Sequence, residues 1–469
     1  MKIEKGLRIL AAAAVINGAV ACGSGKRDDE TQVVPTAVMP APVLVATATD
    51  YGVTVTPEAK QTESIRKPPT IEPTVEIVGT PTPPEVWPME TNTQIPTATP
   101  MEATSAPSPT VEVPTLTPTL PTSATAENRS EINTLGLENV DPLRPELKEQ
   151  ARAFYLEWKG RYVTNEGVEA GQLRAFDPNE EGKTRSEGMA YGLLLSVFND
   201  EPETFDQLWL YTQKHFNGLG LMDWDIGANS EVVGAGSASD ADLDMAYALL
   251  LANSKWGGYE TEARQLLAAI WENDVEKDTL VLKPGGHWGG SKVTNPSYFA
   301  LGYMSAFAKA DPEHDWSGVG VKMAEILEKI KEKTGKRVFV PDWCDAEGNL
   351  VEGMSYDHTY DATRIGWRLA QGAIIEAGGT AQKWSEEIAS YFRLNPPGTL
   401  VDGYKLDGTP IGQWHNNAFV APVYAAMEVT NNPRADEYRQ EMIRIFGDRY
   451  YQDSLATLAM WTMAGGMVR

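Results

Sequence analysis

Three aspartates, Asp240, Asp242 and Asp244, stand directly before an apolar run that begins at Met245. With Ser239 as the N-cap, the first two fall in the opening turn of a helix, where free backbone N–H groups and the helix dipole favour negative charge. Carboxylates brought together in a cleft can also act as catalytic acids and bases. Helix capping and catalysis both remain open for this cluster.

Glu187 and Asp361 occupy similar positions at two other predicted helix starts. Glu187 precedes an apolar run in which Gly188 and Gly192 are about one turn apart, so a ligand or a neighbouring helix could approach the backbone closely. Asp361 can cap its own helix, and Arg364, three residues further on, can pair with it. Each of the two carboxylates could still be an ordinary cap.

The three helix starts indicate a shared site only when they are considered together. If alternate helices form an inner ring, their N-termini converge and bring Glu187, Asp240 and Asp361 into one cleft. Glycosidic bond cleavage needs one carboxylic acid to protonate the leaving oxygen and one carboxylate to activate water or attack the sugar. Aromatic rings can supply flat apolar faces that stack on sugars. The candidate aromatic residues are Tyr191, Trp224, Trp288, Tyr298, Tyr303 and Tyr360.

Helices must position these groups, because apolar residues recur at helical spacing through most of the second half of the chain. Strand-like alternation is confined to short pieces at 279–282 and 338–340. Since each helix must bury its apolar stripe against neighbours, successive pairs predict a closed toroid of helical hairpins. The predicted helices are 146–158, 189–198, 206–216, 241–251, 259–271, 298–308, 321–331, 363–375, 384–392, 418–427, 435–446 and 455–463.

The first 22 residues have the order of a secretory signal: basic residues, an apolar run, then small residues. The apolar run is too short for an ordinary membrane span. Cys22 resembles the site at which bacterial lipoproteins are cleaved and lipidated, although Ala19 stands where that pattern usually has Leu. Cleavage after Ala21 is the alternative. We therefore expect residues 1–22 to be a signal peptide and the mature protein to be extracellular, secreted or lipid-anchored at a bacterial cell surface.

Residues 23–142 are dominated by Thr, Pro, Ala, Val and Glu. Frequent prolines remove backbone donors and favour extended, polyproline-like conformations. We therefore expect a disordered spacer here and a catalytic domain at residues 143–469. A spacer of about a hundred residues, fixed by lipid at Cys22, would hold that domain away from the membrane, where it can meet insoluble polymer.

Composition excludes several classes of function. The formal net charge of −25 argues against nucleic-acid binding, which clustered Lys and Arg drive, and fits an uncharged or cationic substrate better. Two cysteines, Cys22 and Cys344, cannot form a disulfide framework. The five histidines lack metal-ligand spacing, and the glycine-rich stretch 285–290 lacks the Lys-Ser or Lys-Thr of a phosphate loop, so no metal or nucleotide cofactor is expected.

Six short motifs, in order along the chain, resemble those of glycoside hydrolase family 8. The resemblance implies an all-α (α/α)6 barrel from about residue 154 onwards and the activity of an inverting endoglucanase. The motifs are Ser186-Glu187-Gly188 with Tyr191-Gly192, Ala238-Ser239-Asp240-Ala241-Asp242, Asn295-Pro296-Ser297-Tyr298-Phe299, Asp342-Trp343-Cys344, Tyr360-Asp361-Ala362 with Arg364, and Tyr450-Tyr451-Gln452-Asp453-Ser454-Leu455.

The resemblance also implies residue roles. Glu187 matches the general acid, Asp361 the general base of the cellulase-like branch, and Asp240 the aspartate that holds and distorts the sugar. Asp361 together with Arg364 argues against the branches in which the base lies elsewhere. The acid and base carboxyls of an inverting enzyme are expected to lie about 6.5–9.5 Å apart. Tyr303 stands near a position where relatives often carry Trp.

The helix N-terminus should lower the pKa of Glu187, whereas a general acid must keep its proton near neutral pH. We expect repulsion from Asp240, together with desolvation by aromatic neighbours, to raise this pKa.

The sequence thus predicts a monomeric, cofactor-free endo-1,4-β-glucanase of the cellulase type that cleaves cellulose and mixed-linkage β-glucan internally. Two alternatives remain: an endo-xylanase or chitosanase of the same family, and a non-catalytic glycan-binding lipoprotein. The acidic composition does not exclude chitosan, because a negative cleft attracts a cationic polymer.

Overall fold

The structure, a computed structural model, describes residues 135–335 and 337–469. The predicted signal peptide, Cys22 and the predicted spacer as far as residue 134 lie outside the described residues.

Twelve α-helices occur within the described ranges, and they account for most of the fold. The helices are α1 (Lys148–Tyr162), α2 (Ser186–Phe198), α3 (Pro202–Lys214), α4 (Ser239–Trp256), α5 (Glu260–Asp274), α6 (Met304–Ala310), α7 (Trp316–Lys333), α8 (Ile365–Ile375), α9 (Thr380–Phe392), α10 (Asn417–Val429), α11 (Ala435–Arg444) and α12 (Tyr450–Ala464).

Even-numbered helices form an inner layer. Every residue of α10 is buried, as is every residue of α2 except Glu187 and every residue of α12 except Tyr451. The odd-numbered helices are amphipathic and bury one stripe only. In α1 the buried residues are Ala151, Phe154, Tyr155, Trp158 and Tyr162.

The inner helices pack in a closed ring. Helix α2 packs on α4 and α12, α10 packs on α12 and α8, and α4 packs on α6. The turn Leu301–Tyr303, which leads into α6, packs on α8 and closes the ring. Each inner helix also packs on the outer helix that follows it, and α12 packs on α1. The predicted all-α (α/α)6 barrel is confirmed.

The predicted helix 298–308 is broken into shorter pieces. Pro296–Tyr298 and Leu301–Tyr303 are single 3-10 turns, and α6 begins only at Met304. A β-carbon on Gly302 would lie 2.9 Å from the α-carbon of Gly372 on α8, so this turn lies directly against the neighbouring helix. Close contact between the two backbones replaces the side-chain packing of a longer helix.

Nine short strands lie between the helices of the described region and pair only antiparallel. The predicted strand 338–340 is wrong, because Phe339 packs edge-on or stacked among Tyr391, Phe392 and Tyr404 and joins no ladder. Of 279–282 only the last two residues form a strand. The sheets are β1 (Asn139–Val140) with β9 (Met467–Val468); β2 (Val163–Thr164) with β3 (Arg174–Ala175); β4 (Thr184–Arg185), β5 (Asp225–Ile226) and β6 (Val232–Gly234); and β7 (Val275–Glu276) with β8 (Val281–Leu282).

The folded region begins before the predicted boundary at residue 143. Strand β1 pairs with β9 near the last residue of the chain, and Leu135 and Leu137 are buried in the core. A two-residue strand is too short to show a period in the sequence, which explains the late boundary. In residues 135–469, position 336 aside, no helix is long and apolar enough to cross a membrane.

Candidate active site

The three predicted carboxylates meet at one arginine. One terminal nitrogen of Arg364, Nη1, donates to Glu187 Oε2 at 2.9 Å and to Asp240 Oδ2 at 2.5 Å. The other, Nη2, donates to Asp361 Oδ1 at 2.9 Å. The structure therefore brings Arg364 together with two carboxylates that are each more than a hundred residues away in the chain, in addition to its sequence neighbour Asp361.

Local structure explains this convergence. Glu187 and Asp240 are the second residues of α2 and α4, and Asp361 immediately precedes the 3-10 turn that leads into α8. All three inner helices thus present their N-terminal ends to one cleft. The predicted N-cap Ser239 is wrong: it is the first helical residue, and its hydroxyl donates to the Lys283 carbonyl oxygen at 2.6 Å.

A buried aspartate holds the turn that carries Asp361. Asp342 Oδ1 accepts the backbone N–H groups of Thr359 and Ala362, each at 2.9 Å. Its Oδ2 accepts the hydroxyls of Ser355, at 2.6 Å, and of Thr359. Asp342 belongs to a motif that the sequence analysis noted, but nothing in the sequence indicated this bracing function.

Burial and an imbalance of charge together raise the pKa of Glu187. Three carboxylates surround the Arg364 guanidinium, so one positive charge faces up to three negative ones. Burial is the largest cause and raises the pKa of Glu187; Arg364 lowers it, while repulsion from Asp240 and Asp361 raises it again, to about 7. Both expected causes, desolvation and repulsion from Asp240, act to raise the pKa here. Glu187 can therefore hold a proton near neutral pH.

The three carboxylates differ in their access to solvent. The exposed fraction of the side chain is 39% for Asp361, 23% for Glu187 and 2% for Asp240. Burial raises the pKa of Asp361, Arg364 opposes that rise, and nearby Asp342 adds to it. Asp361 is thus the carboxylate best placed to contact a water molecule, and Asp240 lies buried at the bottom of the cleft.

Of the predicted aromatic residues, Tyr360 lines the cavity, and three others lie against residues around it. Trp224 is 42% exposed, and the guanidinium of Arg185 lies over its ring. Trp288, 45% exposed, is tilted against Trp343 with ring centroids 5.3 Å apart. Tyr360 is exposed as well. Tyr298 is largely buried, with the Arg364 guanidinium 5.0 Å from its ring centre.

Tyr191 and Tyr303 are fully buried, so the prediction that their rings stack on sugars is wrong. Tyr191 points into the barrel and meets Trp367 edge-on. Tyr303 stacks on Tyr247, and its hydroxyl donates to Asp244 at 2.8 Å. Both rings face the barrel interior and have no free face.

The two glycines of α2 serve helix packing. A β-carbon on Gly188 would lie 1.8 Å from the hydroxyl oxygen of Tyr450, and one on Gly192 would lie 3.0 Å from a methyl carbon of Leu208. Neighbouring helices occupy the space that the missing side chains leave. Of the two readings of these glycines, close approach of another helix is the one the structure supports.

Three aromatic residues at the cleft were not singled out from the sequence as binding residues. Tyr451 is the only residue of α12 that is not buried, and its hydroxyl donates to the Tyr360 carbonyl oxygen at 2.6 Å. Trp343 supports Trp288. Trp414 is 71% exposed in the loop before α10. Motif matches pointed to the first two, whereas Trp414 lies in a loop that has no periodic signal.

The resulting cavity has a volume of about 580 Å³ and is lined by Glu187, Asp361, Arg364, Tyr360 and Tyr451, among others. A partly protonated carboxyl group, a more exposed carboxylate and aromatic rings therefore face one open space. This arrangement can transfer protons to and from a bound sugar chain.

Comparison with known proteins is consistent with this chemistry. The chain is 37% identical over 326 residues to Endoglucanase A of Acetivibrio thermocellus, covering 67% of this chain and 68% of that protein. It is 34% identical over 322 residues to Endoglucanase C of Ruminiclostridium cellulolyticum, covering 66% and 69%. The solved structure of a beta-1,3-1,4-glucanase from Paenibacillus sp. X4 superposes with a TM-score of 0.63 at 23% identity, covering 70% of this chain and 95% of that one.

The family model of the glycosyl hydrolases family 8 matches residues 148–465, which span α1 to the end of α12. The match covers more than half of the chain, and it includes all three carboxylates and Arg364. This chain belongs to glycosyl hydrolases family 8.

Proposed function

We propose that this chain is an endo-1,4-β-glucanase that hydrolyses β-1,4-linked glucan internally, with inversion at the anomeric carbon. Glu187 acts as general acid, Asp361 as general base, and Asp240 holds the sugar at the cleavage point. The single observation that carries the proposal is the meeting of these three carboxylates at Arg364, in a cleft bordered by exposed aromatic rings.

The first half of the reaction belongs to Glu187. Its raised pKa, about 7, leaves much of the enzyme with a protonated Glu187 at neutral pH. That proton passes to the glycosidic oxygen as the bond to the anomeric carbon breaks, so the leaving sugar departs with a neutral hydroxyl group.

The second half belongs to Asp361, which accepts a proton from water while the water oxygen attacks the anomeric carbon from the opposite face. Both carboxylates accept N–H groups of one planar guanidinium at 2.9 Å, so the bonded oxygens lie no more than about 8 Å apart. Inverting enzymes hold their two carboxyl groups roughly 6.5–9.5 Å apart, which leaves room for a water molecule. The lower part of that range lies within the limit set by Arg364.

Asp240 is suited to binding and not to proton transfer. Its Oδ2 is engaged by Arg364, and its buried Oδ1 has no hydrogen-bond partner among the described residues. A buried acceptor without a donor is costly. A sugar hydroxyl would supply the donor once substrate displaces the side chains that now cover this oxygen.

The substrate assignment draws on the relatives, two of which are named endoglucanases at 34–37% identity. Reducing-end release from carboxymethylcellulose, barley β-glucan, xylan and chitosan tests it directly. We expect release from the two glucans, and anomer-resolved NMR of the first products should show the α-anomer. Release from xylan or chitosan alone would show that one of these polymers, and not β-glucan, is the substrate. No release from any polymer would contradict hydrolysis altogether.

We further propose that the protein is exported and held at the cell surface by a lipid on Cys22, which the basic, apolar and small-residue order of residues 1–22 supports. Labelled fatty acid should enter the wild-type protein and not a Cys22→Ala variant. Label that persists in the variant would contradict the anchor, and a protein retained in the cytoplasm would contradict export.

A further inference from the structure

A second groove continues from the catalytic cavity beyond Tyr360. It has a volume of about 350 Å³, and Thr359 and Tyr360 line both spaces. Its far side is formed by two loop segments, 402–403 and 411–414. Trp414, at its edge, is the most exposed tryptophan of the described residues, at 71%.

Asp402 ties this groove to the catalytic turn. Its Oδ1 accepts the backbone N–H groups of Gln413 and Trp414, at 2.8 and 2.9 Å. Its Oδ2 accepts the Tyr360 hydroxyl at 2.9 Å, and the Asn416 side-chain amide donates to the same hydroxyl at 3.0 Å. The loop that presents Trp414 is therefore bonded to the residue next to the general base.

The loop is preorganised by close backbone contacts. The N–H groups of Ile411 and Gly412 both donate to the Gly403 carbonyl oxygen. A β-carbon on Gly412 would lie 2.3 Å from Asp402 Oδ1, so a larger residue there would displace the Asp402 bonds. Because the loop is already rigid, binding a ligand at Trp414 does not cost the conformational entropy of ordering the loop.

The groove also lies at a useful place in the ring. The inner helices follow each other in the order α2, α4, α6, α8, α10, α12, so α4 and α10 are opposite. Trp224 lies in the connection before α4, and Trp414 in the connection before α10. The Trp414 groove therefore extends the catalytic cavity towards the α10 side of the ring.

We propose that the Trp414 groove is a distal sugar-binding subsite that holds one pyranose unit of the chain bound at the catalytic centre, so that it favours long substrates. Exposed indole faces stack on the apolar face of a sugar. This inference rests on the proposed polysaccharide hydrolase function.

Chain-length dependence tests the subsite. With the full chain, kcat/KM is measured on β-1,4-gluco-oligosaccharides from three to seven units for wild type, Trp414→Ala, Trp414→Tyr and Val321→Ala. We expect Trp414→Ala to lower kcat/KM about tenfold on the longest substrates, the size of one lost stacking contact, and to leave the shortest unchanged. Trp414→Tyr should restore most of the loss, and Val321→Ala, an exposed apolar residue on α7, should have no effect.

Two results would overturn the subsite: no loss at any length, or an equal loss at every length, which would indicate a structural effect. If the wild type cleaved no gluco-oligosaccharide, the proposed glucanase function would fail instead. The same series would then be run on the xylo- or chito-oligosaccharides that it does cleave, and the same two results would decide the subsite.

Discussion

Two arginines one helical turn apart hold different numbers of carboxylates. Arg364, at the mouth of the barrel, contacts three. Arg368, one turn deeper in α8, contacts one, because both of its terminal nitrogens bond to Asp244. Both guanidinium groups are buried, but the Glu187 side chain is 23% exposed and that of Asp244 only 1%, so the two sites differ in carboxylate number and in solvent access.

The difference fits the roles proposed for the two layers, catalysis in the outer layer and support of the fold in the deeper one. The outer layer has an excess of negative charge, and a proton is held on Glu187 near neutral pH. In the deeper layer burial raises the pKa of Asp244, but Arg368 and the Tyr303 hydroxyl act to lower it, and the pair has no excess charge. Burial raises the pKa of both carboxyl groups, and repulsion among the carboxylates around Arg364 adds to the rise at Glu187.

The largest expected effect is on catalysis in the outer layer. Glu187→Gln removes the proton donor but keeps the shape and the hydrogen-bonding capacity of the side chain. We expect kcat on barley β-glucan to fall by about 10²- to 10⁴-fold, the usual contribution of general acid catalysis. A variant that kept most of its activity would show that Glu187 is not the acid.

The effect on stability should be the reverse: large in the deeper layer and small in the outer one. Asp244→Asn leaves the buried Arg368 without its counter-charge, and we expect the free energy of unfolding to fall by about 3–5 kcal/mol. Urea denaturation of the full chain measures this loss. Glu187→Gln is the matched control, because it removes excess charge and should leave the stability equal or higher at pH 8. Similar losses in the free energy of unfolding of both variants would contradict the proposed difference between the Arg364 and Arg368 sites.

A third acidic site is a pair of carboxylates that lacks an arginine altogether. Asp242 and Asp274 are both fully buried. Burial raises the pKa of Asp242, and repulsion from Asp274 adds to the rise; burial likewise raises the pKa of Asp274, against the opposing effect of Lys283. The simplest arrangement is that the pair shares one proton.

The sign of the pH effect follows from those raised pKa values. The folded protein binds more protons than the unfolded chain between about pH 4 and the folded pKa values, so this pair's contribution to stability decreases as pH rises through that range. In Asp274→Asn an amide donates to Asp242, and thermal unfolding should depend less on pH. A wild type and a variant with parallel stability curves from pH 4 to 8 would exclude a shared proton.

The smallest effect is expected at Tyr303. Tyr303→Phe removes a hydroxyl that donates to Asp244 and accepts from Gln371, so stability should fall by about 1–3 kcal/mol. KM for β-glucan should not change, because the ring is inside the barrel. Trp288→Ala is the contrasting variant, since loss of an exposed ring at the cleft should raise KM. A rise in KM for Tyr303→Phe would indicate that Tyr303 does contact the substrate.

The helices and their functional ends could be predicted because they depend on local signals. Apolar spacing placed eleven of the twelve helices to within a few residues of chain, and the carboxylates stood out because charge is rare at the start of a buried helix. The helix at 298–308 failed for a non-local reason, since the neighbouring helix contacts the backbone of the Leu301–Tyr303 turn.

The cleft itself depends on contacts that the sequence does not display. Tyr191 lies in a helix that is buried on nearly all sides, so no polar face indicates which way its ring points. The bonds from Arg364 to Glu187 and Asp240 join residues 177 and 124 positions apart. Trp414 lies in a loop, where no period fixes exposure. Residue type indicated chemistry, and only the packed fold selected which residues take part.

The central claim is that burial and the excess of carboxylates around Arg364 together keep a proton on Glu187. The most direct test is a titration of Glu187 by NMR, in full-length protein labelled with ¹³C at the glutamate side-chain carboxyl, with Glu187→Gln identifying its resonance. Our account predicts a pKa of about 7. A pKa at or below the ordinary glutamate value of 4.5 would contradict it.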